Sequence, residues 1–165
     1  MQYKILFLCT GNSARSILGE YILRQMTGNR FESYSAGAKP TGKINLFVLQ
    51  VLKQHFQIDA SDARSKSWEE YKNFHFDFVI TVCNNAKESC PVWPGQPILA
   101  HWGFEDPADF TGTDEEKLKA TFQIAMQIKR RLDLFCALPI EKMERLKLED
   151  AVHDLGKDLA LTQYE

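Results

Sequence analysis

The sequence predicts an α/β domain: a doubly wound, mainly four-stranded parallel sheet flanked by helices. Tyr3–Leu8 reads as a continuous rather than alternating apolar strand, the pattern of a sheet covered on both faces, and Phe76–Val82 as another buried strand. These runs alternate along the chain with segments whose apolar residues recur at helical spacing. The chain has 165 residues, 44% of them hydrophobic, which suits a single domain with a core of its own.

The elements follow in order. Tyr3–Leu8 forms the first strand and runs straight into Cys9-Thr10-Gly11-Asn12-Ser13-Ala14-Arg15-Ser16. Ile17, Leu18, Tyr21, Ile22, Gln25 and Met26 then mark one face of a helix that Gly28 ends. Phe31–Ser35 is a second strand, closed by Ala36-Gly37, and Ile44, Phe47, Val48, Val51, Leu52 and Phe56 make a second helical face. Phe76–Val82 and the shorter Pro97–Ala100 are the third and fourth strands. Thr113 and Glu116 form a capping box that opens an amphipathic helix running to about Cys136. Residues 1–139 make up this domain. Residues 140–165 are charged and lack long apolar runs, so they read as a helical or disordered tail, with Met143, Leu146, Leu148, Val152 and Leu155 suited to a weak docked helix.

Composition narrows the function. Lys and Arg number 20 against 22 Asp and Glu, a net charge of -2, so no basic excess draws in nucleic acid or an anionic membrane. The longest apolar run, Ile5–Cys9, is far short of a membrane span. It also begins too near Met1, and breaks at Gly11-Asn12-Ser13 too soon, for a secretory signal. A cytoplasmic location is expected. There, Cys9, Cys83, Cys90 and Cys136 are reactive, metal-binding or buried rather than paired as structural staples.

In a doubly wound sheet, ligands bind beyond the carboxyl ends of the strands. Cys9 ends the first strand and Cys83 the third, which puts both on one rim. The small residues from Thr10 to Ser16 lie between strand and helix, where successive backbone N–H groups form a nest at a helix N-terminus. Such a cradle takes a tetrahedral oxyanion through Thr10, Gly11, Asn12, Ser13, Ala14, Arg15 and Ser16, with the Arg15 guanidinium as a bidentate clamp. The same positive field is expected to lower the Cys9 thiol below its free pKa of ~8.5 and so supply a thiolate nucleophile. The loop is neither a dinucleotide fingerprint nor a Walker sequence.

Cys83 and Cys90 stand seven residues apart, unlike the two-residue spacing of zinc knuckles or thioredoxin-like motifs. If the intervening segment is helical, the rise of ~10.5 Å exceeds the ~7 Å Cα separation that a disulfide tolerates. A bond between them therefore requires this turn to open. A zinc site from Cys9, Cys83, Cys90 and His101 is the competing assignment. Pro107 holds Asp106 extended, which suits a carboxylate projected over the loop as general acid. His101 reads as a support for that loop, His75 and His153 as solvent-facing, Cys136 as core packing, and Trp68, Trp93 and Trp102 as packing, with Trp102 shaping the rim.

Four ordered blocks resemble one family. They are Cys9–Ser16, Tyr34-Ser35-Ala36-Gly37, Thr81-Val82-Cys83 with Cys90-Pro91, and His101-Trp102-Gly103-Phe104 through Asp106-Pro107-Ala108. Cys9–Ser16 is similar to the phosphate-binding loop of the low-molecular-weight protein tyrosine phosphatase superfamily, and residues 1 to about 139 resemble its arsenate reductases. Position 14, often Cys in that family, is Ala here, and the tail is longer than in the shorter members. The resemblance implies arsenate as substrate, with phosphate or sulfate competing, and a role in arsenic detoxification. It assigns catalysis to Cys9, Arg15, Cys83, Cys90 and Asp106. A Cys9 thiol–arsenate adduct is resolved by Cys83, the disulfide passes to Cys83–Cys90, and thioredoxin reduces it, with glutaredoxin or glutathione as alternatives. No cofactor is implied. It also implies a cation site behind the loop at Asn12, Glu20 and Ser35, where Lys66 stands in a carboxylate's place and supplies a tethered ammonium instead of potassium.

Two other functions compete. A low-molecular-weight phosphotyrosine phosphatase would use the same Cys9, Arg15 and Asp106, but it calls for aromatic residues beside the acid, where this chain has Asp106-Pro107-Ala108-Asp109, and it leaves Cys83 and Cys90 without work. A non-enzymatic thiol redox sensor or metal-binding module is the other.

Overall fold

The computed structural model describes residues 2–83 and 93–162. In chain order it contains β1 (Tyr3–Cys9), α1 (Arg15–Thr27), β2 (Phe31–Gly37), α2 (Leu46–Phe56), β3 (Phe78–Thr81), β4 (Ile98–His101), α3 (Asp114–Cys136) and α4 (Arg145–Thr162), with 3-10 turns at Trp68–Tyr71, Pro107–Asp109 and Ile140–Lys142. The strands form one parallel sheet in the order β2-β1-β3-β4. The chain leaves β1 toward β2 and returns to β3 on the other side of β1, so the switch point lies between β1 and β3.

Side-chain alternation divides the sheet into two faces. Ile5, Phe7 and Cys9 of β1 join Phe78 and Ile80 of β3, and with the apolar stripes of α1, α2, α3 and α4 they build the main core. Leu6, Leu8 and Val79 point the other way, onto Ala36, Phe76 and Trp93. Among the described residues that second face is lined by aromatic rings: Phe76 meets Tyr34 at 5.6 Å and Trp93 at 5.7 Å between centroids, both edge-on.

Several boundaries differ from the sequence pattern, each for a local reason. α2 starts at Leu46 because Asn45 caps it, its side chain accepting the Phe47 N–H at 2.9 Å, so Ile44 stays outside the helix. β3 starts at Phe78 because Asp77 turns its carboxylate to the Lys4 N–H at 2.8 Å. β2 runs on to Gly37, paired with Cys9. α3 begins as the capping box predicts, with Thr113 accepting the Glu116 N–H at 3.2 Å.

Residues 140–162 are largely helical and integrated with the domain. Leu148, Val152 and Leu155 of α4 sit in the main core, with Met143 packed against it and Leu146 left exposed. Arg131, buried on α3, donates to the Leu155 carbonyl, and Arg30 ties β2 to the end of α3 through the Cys136 and Leu138 carbonyls at 2.6 and 3.0 Å. No described helix is long and apolar enough to cross a membrane.

Candidate active site

The loop between β1 and α1 is held from outside by its carbonyls. Cys9, Thr10, Gly11 and Ser13 carbonyls accept the N–H groups of Ala38, Lys39, Thr41 and Asn45 at 2.8–3.1 Å, and Ser65 Oγ adds a 2.9 Å bond to the Gly11 carbonyl. Turning these carbonyls outward leaves the inner side of the loop to its amides, the arrangement of an anion nest. α1 then starts at Arg15 with Ala14, which has no capping side chain, in the capping position, and among the described residues no side chain accepts its first-turn N–H groups. Asn12 takes a left-handed φ of 46°, and its amide spans the turn by donating to Ser16 Oγ at 2.8 Å. Gly37 is required beside it, since a Cβ there would lie 2.7 Å from the Thr10 carbonyl oxygen and 3.0 Å from Asn12.

Arg15 reaches across this loop. Its Nη1 donates to the Phe104 carbonyl at 2.9 Å and its Nη2 lies 3.2 Å from Asp106 Oδ2. Among the described residues its buried Nε has no hydrogen-bond partner, a donor left over for an acceptor in the cradle. Asp106 caps the Pro107–Asp109 turn with its other oxygen, accepting the Ala108 N–H at 3.0 Å, which fixes the carboxylate's orientation. A cleft of about 580 Å³ opens here, lined by Arg15, Cys83, Phe104, Asp106, Asp109 and Phe110 among others.

The second thiol lies against the first. Cys83 is 2% exposed, and its Sγ accepts the Thr10 N–H at 3.0 Å with Thr10 Oγ1 at 3.3 Å. The Cys83 thiol at hydrogen-bond range and burial together push the Cys9 thiol up from its ordinary value, against the opposing pull of Arg15 and the Gly11 amide. This corrects the expectation of a lowered pKa. Here the Arg15 charge is shared with Asp106, and a buried neighbouring thiol favours the protonated form. Cys90, and the 84–91 turn between the two cysteines, lie outside the described residues.

Behind the loop, Asn12, Glu20, Ser35 and Lys66 converge. Lys66 is 7% exposed, and its Nζ lies 3.0 Å from Ser35 Oγ, 3.4 Å from Asn12 Oδ1, 3.2 Å from the Arg64 carbonyl and 3.7 Å from Glu20 Oε1. Its backbone N–H adds a 2.9 Å bond to Asn12 Oδ1. Ser35 Oγ donates to Glu20 Oε1 at 2.5 Å, and Arg24 takes the other Glu20 oxygen at 2.6 Å. Burial lowers the Lys66 pKa, with Glu20 pulling it back up.

The remaining candidates are placed apart from this chemistry. His101 Nδ1 lies 2.6 Å from Thr81 Oγ1, holding the end of β4 to β3. Among the described residues, no group of three or more His, Cys, Asp or Glu side chains is positioned to hold a metal ion. His75 and His153 are exposed, and Cys136 is half-buried against the core. Sequence reasoning quoted Phe104 and Gly37 within motifs without giving either a role, and it gave none to Ser65. The first acts through its backbone and carries no side-chain signal, whereas a glycine closing β2 opposite Cys9 was visible.

A thiol and an arginine on a strand–loop–helix anion cradle, at the switch point of a parallel sheet, define a cysteine-dependent oxyanion-handling protein. The chain belongs to the low molecular weight phosphotyrosine protein phosphatase family, whose model matches residues 4–137. It is 37% identical over 131 residues to an arsenate reductase of Oceanobacillus iheyensis (79% of this chain, 93% of that one) and 37% identical over 136 residues to one of Bacillus subtilis (82% and 96%). Its fold is also that of a low molecular weight protein tyrosine phosphatase from T. tengcongensis, with a TM-score of 0.68, 25% identity, and coverage of 86% of this chain and 100% of that one.

Proposed function

We propose that the protein reduces arsenate to arsenite through a thiol relay, contributing to arsenic detoxification. One observation carries this reading: a second buried thiol, Cys83, lies within reach of the loop that holds Cys9. Phosphoester hydrolysis needs one thiol, whereas reduction by two electrons needs two. The similarity to curated arsenate reductases points the same way.

In the reaction proposed, arsenate is held by the amides of residues 10–16 and by Arg15, with Lys66 bracing the loop from behind through Asn12. The Cys9 thiol passes its proton to the bound arsenate and attacks arsenic as the resulting thiolate, and Asp106 relays a proton so that one arsenate oxygen leaves as water. Arsenic is still pentavalent in this adduct. The Cys83 thiolate then attacks the Cys9 sulfur, forming a Cys9–Cys83 disulfide, while the S–As bond breaks and arsenite departs with the electron pair. Cys90 attacks Cys83, releasing the Cys9 thiolate and leaving a Cys83–Cys90 disulfide. An external dithiol reduces that bond. Thioredoxin, at about -270 mV, is reducing enough for an exposed or strained disulfide. The need for free thiols fits the cytoplasm.

Arsenite production from arsenate with thioredoxin, thioredoxin reductase and NADPH tests the reading directly. Reduction with that system is expected, and a parallel assay with glutathione and glutaredoxin shows which reductant serves the enzyme. Hydrolysis of aryl phosphates without any arsenite would assign the site to a phosphatase instead.

A further inference from the structure

The family match stops at residue 137, yet α4 at Arg145–Thr162 shares the core of the matched domain. It packs against the base of the loop that carries Asp106. Trp102, 1% exposed, donates its indole Nε1–H to the Val152 carbonyl at 3.0 Å. One turn along α4, Gly156 passes so near the end of β4 that a Cβ would overlap the His101 carbonyl oxygen and sit 3.1 Å from Trp102 Cδ1. Glycine is a poor helix former, and Gly156 has no positive φ to account for it. Close approach is what this position uses it for. Phe135 of α3 meets the indole edge-on at 5.7 Å, and the Trp102 N–H is held by the Thr81 carbonyl at 2.8 Å. Trp102 is thus fixed at its indole by α4 and α3 and at its backbone by β3.

The chain from this anchor to the site is short. Phe104 follows two residues on, with its N–H on the Val82 carbonyl at 3.3 Å and its own carbonyl on Arg15. Asp106 follows two residues later, against the same guanidinium. A displacement of Trp102 therefore reaches both the acid and the anion clamp with little slack between.

We propose that α4 is a positioning element of the active site. Val152 and Gly156 seat the Trp102 indole, and Trp102 sets the 103–106 loop so that Asp106 faces the oxyanion seat and Phe104 aligns Arg15. This rests on the reading of Asp106 as general acid. A rate effect transmitted this way should be read through Asp106, whereas mere stabilisation of the fold should not.

The test uses the full chain carrying Gly156→Ala or Trp102→Phe, each alone and combined with Asp106→Asn. Rates are measured with arsenate in the coupled assay and with para-nitrophenyl phosphate, whose leaving group would draw on the same acid. Each single variant is expected to lower kcat about tenfold with KM changed less than about threefold, and to flatten the limb of the pH profile that depends on a protonated acid. Each should slow the Asp106→Asn enzyme by less than it slows the parent, because only the share carried through Phe104 and Arg15 persists there. Circular dichroism reports whether each variant is folded, and Trp102→Phe, which adds no atoms, carries the test if Gly156→Ala does not fold. Equal losses in both backgrounds, or wild-type rates in folded variants, would overturn the proposal alone. An Asp106→Asn enzyme as fast as its parent would overturn the acid assignment and the proposal with it. Hydrolysis of para-nitrophenyl phosphate without arsenate reduction would sink the reductase reading while leaving this comparison intact.

Discussion

Cys83 Sγ sits 3.0 Å from the amide nitrogen of Thr10, so the second thiol occupies a donor of the cradle that begins just after Cys9. The Cys9 thiol is raised above its ordinary value, first by Cys83 and then by burial. The protein therefore holds this proton more tightly than the unfolded chain does. The stabilisation that goes with it is present below the ordinary cysteine pKa of ~8.5 and is lost as pH rises through the folded value. Iodoacetamide should label Cys9 slowly at neutral pH. Replacing Cys83 by Ala removes the largest cause, so the pH midpoint for labelling should fall. Mass spectrometry of the labelled peptide checks this, and an unchanged midpoint would show that burial alone sets the thiol.

Lys66 should make the enzyme indifferent to potassium, because its ammonium already lies among Asn12 Oδ1, Ser35 Oγ and Glu20. Equal turnover in potassium and sodium salts is expected. Lys66→Met should destabilise the protein by about 2–4 kcal/mol, since a buried carboxylate loses one of its two cationic partners while Arg24 remains. Phosphate affinity should fall with it, as Asn12 loses an anchor. Thermal melts and phosphate titration measure both effects, and potassium activation of the unaltered enzyme would contradict the assignment.

Gly37→Ala tests the shape of the loop without touching its chemistry. The added methyl meets the Thr10 carbonyl and Asn12 at 2.7–3.0 Å, so the cradle must shift. Phosphate inhibition of turnover should weaken roughly tenfold to a hundredfold, following misplacement by a fraction of an ångström to an ångström. Retention of tight phosphate binding would mean that the amides are not the anion site.

Much of this was readable in the chain because its signals are local. An apolar strand running into Cys9–Ser16 and then into a helical stripe specifies β1, the loop and α1 by periodicity and small-residue chemistry. Arg15 and Asp106 could be named because each sits in a distinctive local pattern. The direction of the Cys9 pKa could not, since it depends on where folding puts Cys83. The integration of α4 was obscured for a similar reason. Leu148, Val152 and Leu155 form a thin stripe among charged residues, and Gly156 reads as a helix breaker until its contact with His101 and Trp102 is seen. The hold of Phe104 on Arg15 is a backbone contact, to which no residue type points.

The order of the thiols follows from their proposed tasks. Cys9→Ser should abolish all turnover, because a serine hydroxyl is not ionised at neutral pH and forms no sulfur–arsenic adduct. Cys83→Ser should form the adduct and release no arsenite unless an external thiol is added. Cys136→Ser should turn over like the unaltered protein with a modest loss of stability, its thiol being half-buried against the core.

The most direct measurement is the number of arsenite ions released per enzyme by Cys90→Ser in the presence of thioredoxin, its reductase and NADPH, with the final state mapped by mass spectrometry. The relay predicts one arsenite per enzyme, followed by arrest at a Cys9–Cys83 disulfide. Continuous turnover by this variant, or a mapped bond to Cys136, would contradict it.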